Sequence, residues 1–174
     1  MLFTGIMLTP QGPKVLEYNV RFGDPETQSL MALLSDDTDL AELMLACIER
    51  RLDCVKFEMK KEAAVTVVLA AKGYPGSYPK GDVITFDALP ESESRPSFCR
   101  VWHEKLTRFL PADVWIFHAG TKANPSGQIL TNGGRVLAVT AVAPTLKEAQ
   151  ALAYKGVDCV HFEGKTFRRD IAYK

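Results

Sequence analysis

The stretch LEYNVRFGDPETQ, residues 16–28, organises the N-terminal third of this 174-residue chain. Its first half alternates apolar and polar side chains, which is typical of a β-strand with one packed face and one face open to solvent. The open face of the predicted strand holds Val15, Glu17, Asn19 and Arg21. The packed face is expected to hold Leu16, Tyr18, Val20 and Phe22. The alternation therefore predicts that a carboxylate, an amide and a guanidinium lie in a row on the open face.

The second half of the same stretch predicts a sharp turn into a helix. Gly23 ends the strand, Asp24 is a favourable N-cap, and Pro25 suits the first helical position, where a missing N–H costs nothing. A second helix is predicted over about 39–52, where Asp39 and Glu42 form a capping box. Its core face is expected to hold Leu40, Leu43, Met44, Cys47 and Ile48.

Upstream of this stretch, the chain predicts the partner strand of a hairpin. Residues 3–8 are apolar and β-prone, and Pro10-Gln11-Gly12-Pro13 supplies turn residues. The first residues lack the basic start and the cleavage site of a secretory signal and run straight into strand-like sequence. From this start we expect that a segment preceding the hairpin is missing.

From about residue 61 the pattern predicts a second, antiparallel unit. Its helix is expected over 145–155, capped by Thr145 and Glu148, and Asn132-Gly133 is typical of a two-residue hairpin turn. Its strands are expected over 64–70, 82–86, 115–118, 128–131 and 135–142, with strand and tail over 160–171. The expected fold class is α+β: a β-hairpin with two helices, followed by a small antiparallel β-rich domain with one or two helices.

Charge and hydropathy exclude several classes of protein. The 21 Lys and Arg residues equal the 21 Asp and Glu residues, whereas a protein that binds a nucleic-acid backbone normally carries a basic excess. No apolar run approaches the roughly 20 residues that a membrane-spanning helix needs. We therefore expect neither a nucleic acid nor a membrane as a partner, and we expect a cytoplasmic location.

The cysteines and histidines do not show metal-ligand spacing. The cysteines lie at positions 47, 54, 99 and 159 without a CxxC pair, and the histidines at 103, 118 and 161 are scattered. The cysteines are expected to be reduced thiols, buried as small apolar residues. Each histidine is expected to be structural rather than catalytic.

Glu17 and Asn19 are candidate ligands for a hard cation, because Mg²⁺ takes oxygen ligands such as carboxylates and amides. Arg21 offers a phosphate a bidentate cationic partner. The helix that starts after Asp24 aims free N–H groups and the positive end of its dipole at the same region. These parts are the ones that a phosphoryl-transfer site assembles. Residue types alone leave an alternative open, namely a solvated strand followed by an ordinary helix cap.

The full string resembles the signature of glycinamide ribonucleotide synthetase (phosphoribosylamine–glycine ligase), a family of ATP-grasp enzymes. The Glu-x-Asn-x-Arg part, residues 17–21, is shared by many ATP-grasp ligases, whereas the continuation RFGDPETQ, residues 21–28, is particular to this family. Later matches follow in order: AAKGYPG at 70–76, FHAGT at 117–121, TNGGRVL at 131–137 and RRDI at 168–171. The resemblance covers nearly the whole chain and is nearest to the synthetase part of fungal bifunctional purine enzymes.

The resemblance implies a two-step ligation in purine biosynthesis. ATP phosphorylates the carboxylate of glycine, and the amine of 5-phosphoribosylamine then displaces phosphate to give glycinamide ribonucleotide. By position, Glu17 and Asn19 match the family's Mg²⁺ or Mn²⁺ ligands. Arg21 is expected to stabilise the phosphoryl group during transfer.

The resemblance also implies roles for the turn and for two later residues. Asp24 is a second catalytic candidate, and the turn is expected to shape the substrate side of the pocket. Further candidates for substrate or nucleotide binding are Gly23, Pro25, Glu26, Arg135 and His118. Arg135 is expected to reach a substrate phosphate. Gly73-Tyr74-Pro75-Gly76 is interpreted either as a structural turn or as a loop that lines the site, since it fits neither common phosphate-loop pattern.

The resemblance further implies a division of the chain. Residues 1–60 are expected to be the C-terminal remnant of an ATP-grasp domain, and residues 61–174 the family's C-terminal domain with a surface insertion over about 90–113. The family's N-terminal domain and the nucleotide-cradling half of the ATP-grasp fold have no counterpart here. We therefore expect an inactive fragment, whose partners are those upstream segments together with glycine, 5-phosphoribosylamine and ATP.

Two alternatives stay open. One is a different ATP-grasp carboxylate–amine ligase, which the GDPE motif at 23–26 disfavours. The other is a truncated paralogue that serves as a non-catalytic binding module. Without an upstream partner, its hairpin would expose a sheet edge and an apolar face, a surface suited to self-association or partner capture.

Overall fold

The computed structural model describes residues 1–87 and 113–173. This part of the chain contains three α-helices, one short 3₁₀ helix (Leu52–Cys54) and nine strands. The helices are α1 (Glu26–Ala32), α2 (Leu40–Glu49) and α3 (Leu146–Asp158). The strands are β1 (Phe3–Thr9), β2 (Gly12–Asn19), β3 (Ala63–Ala70), β4 (Thr85–Phe86), β5 (Val114–His118), β6 (Thr121–Ala123), β7 (Ile129–Thr131), β8 (Arg135–Ala143) and β9 (Val160–His161). The α+β class is confirmed.

The core is built on an antiparallel sheet with the strand order β3-β8-β5. Val67 pairs with Val139, and Val139 pairs with Ile116, so these side chains share one face of the sheet. Helix α3 packs on that face, and α1 packs against β3 and β8 on the other. Because both faces are covered, β8 is buried along nearly its whole length.

Helix α3 confirms the predicted capping box. The hydroxyl of Thr145 accepts a hydrogen bond from the backbone N–H of Glu148, and the Glu148 carboxylate accepts one from the backbone N–H of Thr145. Its core face is lined by small residues, since Ala149, Ala153 and Gly156 are buried. The helix can therefore lie close to the sheet.

The hairpin of β1 and β2 is confirmed, but its predicted packed face is wrong. The strands pair antiparallel around a turn at Pro10-Gln11. Leu16, Tyr18 and Val20 are 63%, 65% and 90% exposed. The reason is that the hairpin packs mainly on itself rather than against the sheet or helices of the described residues.

Helix α2 is present, and Asp39 caps it by accepting bonds from the N–H groups of Ala41 and Glu42. The predicted capping box is not formed, because the Glu42 carboxylate accepts a bond from Arg51 at 2.6 Å instead. The predicted core face is also wrong. Ala46 is the buried residue of this helix, while Met44 and Ile48 are exposed.

Two smaller predictions need correction. Asn132-Gly133 does not close a hairpin, because β7 pairs with β6 whereas β8 pairs with β3 and β5. The short strand β6 was not predicted. Of the cysteines in the described residues, Cys47 and Cys54 are exposed and Cys159 is half-buried, so they are not the core residues that we expected.

The insertion expected over about 90–113 falls almost entirely outside the described residues. Within residues 1–87 and 113–173, none of the helices has the length and apolar character that crossing a membrane requires.

Candidate active site

Strand β2 places Glu17 and Asn19 side by side. Glu17 pairs with Gly5 and Asn19 with Phe3, so the two side chains lie on one face, as predicted. The pairing skips Leu16 at a bulge, which puts Val15 on the opposite face from Glu17. The strand ends at Asn19, so the predicted row does not continue along the strand as far as Arg21.

The two side chains fit a hard cation as part of its ligand set. Glu17 is exposed, and the amide nitrogen of Asn19 is buried with no hydrogen-bond partner among the described residues. Since the nitrogen is the buried atom of this amide, the oxygen is the atom that it can offer beside Glu17. The described residues hold no group of three His, Cys, Asp or Glu side chains suited to a metal ion. Glu17 and Asn19 would therefore supply two oxygens of a shared site.

Arg21 follows the strand as an exposed residue. Its Nη1 donates a hydrogen bond to the backbone carbonyl of Phe22 at 3.0 Å. The guanidinium thus lies beside the turn that leads to α1, within the same short segment as the two candidate ligands.

The turn before α1 differs from the prediction. Pro25, not Asp24, is the N-cap, and no side chain in the described part of the chain caps this helix. The peptide bond between Asp24 and Pro25 is cis. The carbonyl of Gly23 accepts bonds from the N–H of Thr27 at 3.3 Å and from its hydroxyl at 2.6 Å. These two bonds tie the turn to the first helical turn.

The carboxylate of Glu26, the first residue of α1, lies beside Gly23. An added Cβ at Gly23 would lie 2.6 Å from Oε2 of Glu26, so this carboxylate folds back over the glycine. Helix α1 has only seven residues, and its first turn is acidic. An acidic side chain beside the first turn disfavours an anion at this helix N-terminus, and the expected anion site stays a prediction.

The Asp24 carboxylate is turned toward the second unit, which explains why it does not cap α1. Arg135, the first residue of β8, donates from Nη1 to the carbonyl oxygen of Asp24 at 3.1 Å. Its Nη2 lies 3.4 Å from Oδ2 of Asp24. The structure thus brings together two predicted site residues that lie far apart in the sequence.

Three of the sequence motifs meet at the end of the sheet from which Arg135 projects. An added Cβ at Gly120 would clash with the Cα of Gly133, so the FHAGT and TNGGRVL segments pack backbone to backbone. An added Cβ at Gly134 would clash with the ring of Tyr74, which belongs to the AAKGYPG segment. The glycines of these motifs therefore serve close packing, and Gly73-Tyr74-Pro75-Gly76 is a turn at this same end.

His118 is placed at the same end of the sheet. It is the last residue of β5, it pairs with Leu137 of β8, and its Nδ1 lies 2.9 Å from the hydroxyl of Thr121. His118 and Arg135 are thus two positions apart along neighbouring strands.

A row of hydroxyl groups also links α1 to the sheet. Ser29 Oγ lies 2.6 Å from Thr66 Oγ1, which lies 2.8 Å from Thr140 Oγ1. Thr140 is fully buried. Sequence reasoning missed this contact and the one between Asp24 and Arg135, because neither has a local sequence signal. A polar residue amid the apolar run of β8 was the available hint.

Two family matches cover most of the chain. The family described as phosphoribosylglycinamide synthetase, C domain, matches residues 64–174. The family described as phosphoribosylglycinamide synthetase, ATP-grasp (A) domain, matches residues 1–27. The second match contains both candidate metal ligands and the turn.

Curated relatives carry the corresponding names. The chain is 49% identical over 173 residues to the bifunctional purine biosynthetic protein ADE1 of Schizosaccharomyces pombe, which covers 99% of this chain and 19% of that protein. It is 45% identical over 176 residues to the phosphoribosylamine–glycine ligase of Synechocystis, which covers 100% of this chain and 37% of that enzyme. The chain thus spans about a fifth to somewhat over a third of the length of these relatives.

A solved structure shows the same fold. The crystal structure of the phosphoribosylamine–glycine ligase from Thermotoga maritima superposes with a TM-score of 0.66 at 37% sequence identity. The match covers 97% of this chain and 36% of that one. The resemblance found in the motifs is therefore confirmed, and this chain belongs to the phosphoribosylglycinamide synthetase family.

Proposed function

We propose that this chain forms the C-terminal part of a phosphoribosylamine–glycine ligase of purine biosynthesis. In this reaction the γ-phosphoryl group of ATP passes to the carboxylate of glycine, giving ADP and glycyl phosphate. The amine of 5-phosphoribosylamine then attacks the acyl carbon, and the C–O bond to phosphate breaks. The products are glycinamide ribonucleotide and phosphate, and the amine loses a proton. The observation that carries the proposal is that Glu17 and Asn19 share one face of β2, next to a turn that Arg135 contacts through Asp24.

Glu17 and Asn19 are proposed to hold Mg²⁺ or Mn²⁺ with the phosphates of ATP. A divalent cation at this place would lower the charge that the glycine carboxylate has to approach. The role of these residues is to fix two oxygens on a rigid strand face, with the Asn19 nitrogen side turned inward. Because only two ligands come from the described residues, the remaining ones would come from nucleotide, water and the rest of the enzyme.

Arg21 is proposed to stabilise the phosphoryl group during transfer. It is exposed, and a phosphate oxygen would be a better partner for its guanidinium than the Phe22 carbonyl. Asp24, with Gly23, Pro25 and Glu26, is proposed to shape the side of the pocket that receives the substrates. The carboxylates of Asp24 and Glu26 would suit an amine, and His118 and Arg135 lie on the strands behind this turn.

The exposed apolar faces support the proposal that further segments of the enzyme pack here. Ile6, Leu8, Val15 and Tyr18 lie on one face of the hairpin and are all more than half exposed. Met44, Leu45 and Ile48 of α2 are also exposed. We propose that residues 1–60 are one part of an ATP-grasp domain, whose remainder corresponds to segments of the relatives that this chain does not span. Residues 61–174 are proposed to form the C domain. Catalysis would then require both.

The proposal is tested by a chimaera of the Schizosaccharomyces pombe ADE1 protein in which the matching 173 residues are replaced by this chain. We expect ATP-dependent phosphate release that requires both glycine and 5-phosphoribosylamine, and none from the 174-residue chain alone. A chimaera that is folded by circular dichroism and gel filtration but releases no phosphate would contradict the proposal. Turnover by the chain alone would contradict the need for the other segments.

A further inference from the structure

Arg135 joins the central sheet to the turn that precedes α1. Its Nη1 donates to the Asp24 carbonyl at 3.1 Å, and its Nη2 lies 3.4 Å from the Asp24 carboxylate. One guanidinium therefore engages both the backbone and the side chain of Asp24. The rigid planar fork of arginine suits such a two-point contact better than the single ammonium of lysine.

The backbone of Arg135 is fixed on both sides. The Arg135 carbonyl accepts a hydrogen bond from the N–H of Gly120 at 2.8 Å. On the other side, Arg135 pairs with Ala70 of β3. The carbonyl of Gly134 accepts a bond from the N–H of Ala71 at 2.8 Å. The close contact between Gly120 and Gly133 leaves no room for either strand end to shift. Arg135 thus reaches toward Asp24 from a rigid base.

The turn at the other end of this contact has few ties of its own. Among the described residues, its local bonds are the two that Thr27 donates to the Gly23 carbonyl and the one that Arg21 donates to the Phe22 carbonyl, and α1 has no side-chain cap. Helix α1 itself is held to the sheet through Ser29 and Thr66. Within the described residues, Arg135 thus joins the segment between Arg21 and Glu26 directly to the C domain, ahead of the point where Ser29 docks α1.

The contact between Arg135 and Asp24 is too exposed to contribute much to the stability of the folded chain. The side chains of Arg135 and Asp24 are 41% and 52% exposed, and such pairs add little to the free energy of unfolding. The same contact can matter far more to the rate of catalysis, since displacing a catalytic group by about 1 Å can lower the rate about 100-fold.

We propose that Arg135 is a positioning residue, which acts through Asp24 to hold the turn at 23–26, and with it Arg21, in register with the C domain. This role differs from direct contact with a substrate phosphate. It rests on the proposed function for its effect on rate, whereas its structural part can be tested in this chain without any activity.

The structural part is tested by amide hydrogen exchange in the 174-residue chain. Arg135→Gln should speed exchange at the Thr27 amide by about two- to fivefold, the range expected when an exposed ion pair is lost. Arg51→Gln is the matched control, because Arg51 is likewise a half-buried arginine, paired with the carboxylates of Glu42 and Glu49, and its loss should leave Thr27 unchanged. Unchanged exchange in Arg135→Gln would overturn the proposal.

The catalytic part is tested in the chimaera. Arg135→Gln should lower kcat by about 10- to 100-fold while the KM for 5-phosphoribosylamine stays within about twofold, because geometry rather than binding is lost. Arg135→Lys should recover part of kcat, since it restores one of the two contacts. A raised KM with kcat retained would overturn the proposal in favour of direct substrate contact.

The two proposals fail in different ways. A folded wild-type chimaera without turnover rejects the proposed function. Faster exchange at Thr27 together with an unchanged kcat rejects the positioning role while the proposed function stands.

Discussion

Gly156 of α3 lies directly against Val139 in the middle strand of the sheet. An added Cβ at Gly156 would lie 2.7 Å from one methyl carbon of Val139 and 2.9 Å from one of Val114. The absence of a side chain thus sets how closely the helix approaches the core. Glycine has a low helix propensity, so packing favours glycine at this position whereas helix propensity disfavours it.

We predict that Gly156→Ala destabilises the chain. Propensity alone would stabilise by about 1 kcal/mol, but overpacking against two buried valines costs about 1–3 kcal/mol. Denaturant unfolding of the 174-residue chain measures the difference. Ala151→Gly, at an exposed position of the same helix, is the control and should cost about 1 kcal/mol. A more stable Gly156→Ala protein would show that the helix can move away from the sheet.

The hydroxyl row supports a second prediction, on the docking of α1. Ser29→Ala removes the bond to Thr66 and should lower the free energy of unfolding by about 1 kcal/mol. Ser77→Ala, at an exposed turn residue, should change it by less than about 0.5 kcal/mol. Equal stabilities for the two variants would mean that the hydroxyl row does not fasten α1 to the sheet.

A third prediction concerns the reactivity of the cysteines. Burial raises the pKa of the Cys159 thiol, and the nearby carboxylates of Asp87 and Asp158 raise it further. A raised pKa leaves less thiolate at a given pH, so iodoacetamide should modify Cys159 more slowly than the exposed Cys47 and Cys54. Mass spectrometry after timed labelling measures this order. The difference in labelling rate between Cys159 and the two exposed cysteines should become smaller as the pH rises through the pKa of Cys159. Faster labelling of Cys159 than of Cys47 and Cys54 would contradict the structure.

A fourth prediction tests the ligand role of Glu17. In the chimaera, Glu17→Gln should lower kcat at least about 100-fold, as expected when a charge-stabilising group of a phosphoryl-transfer site is removed. It should also raise the Mg²⁺ concentration needed for half-maximal rate. Because Glu17 is exposed, thermal unfolding should stay close to the wild-type value. Glu163→Gln, another exposed carboxylate, is the control, and a wild-type rate in Glu17→Gln would exclude the metal role.

The local features of the fold were predictable from the sequence. The caps at Asp39 and Thr145 and the strand predicted over 64–70 are confirmed, because each depends on neighbouring residues. The burial of α2 was predicted wrongly, since an apolar stripe shows that a face can be covered but not what covers it. Asn132-Gly133 has the residues of a hairpin turn, yet its flanking strands pair elsewhere.

The candidate site shows the same limit. Glu17 and Asn19 share a strand face because they are two residues apart, which the sequence alone indicates. The Asp24 cap was a local expectation, and it failed because Arg135 competes for the same carboxylate. Such a long-range contact has no signature in a single sequence.

The most direct test of the central claim is the formation of glycinamide ribonucleotide by the chimaera. Mass spectrometry of the reaction with ATP, Mg²⁺, isotopically labelled glycine and 5-phosphoribosylamine should show the label in the ribonucleotide product, and omission of ATP should abolish it. A folded chimaera that forms no labelled product, beside an unmodified Schizosaccharomyces pombe protein that does, would contradict the account.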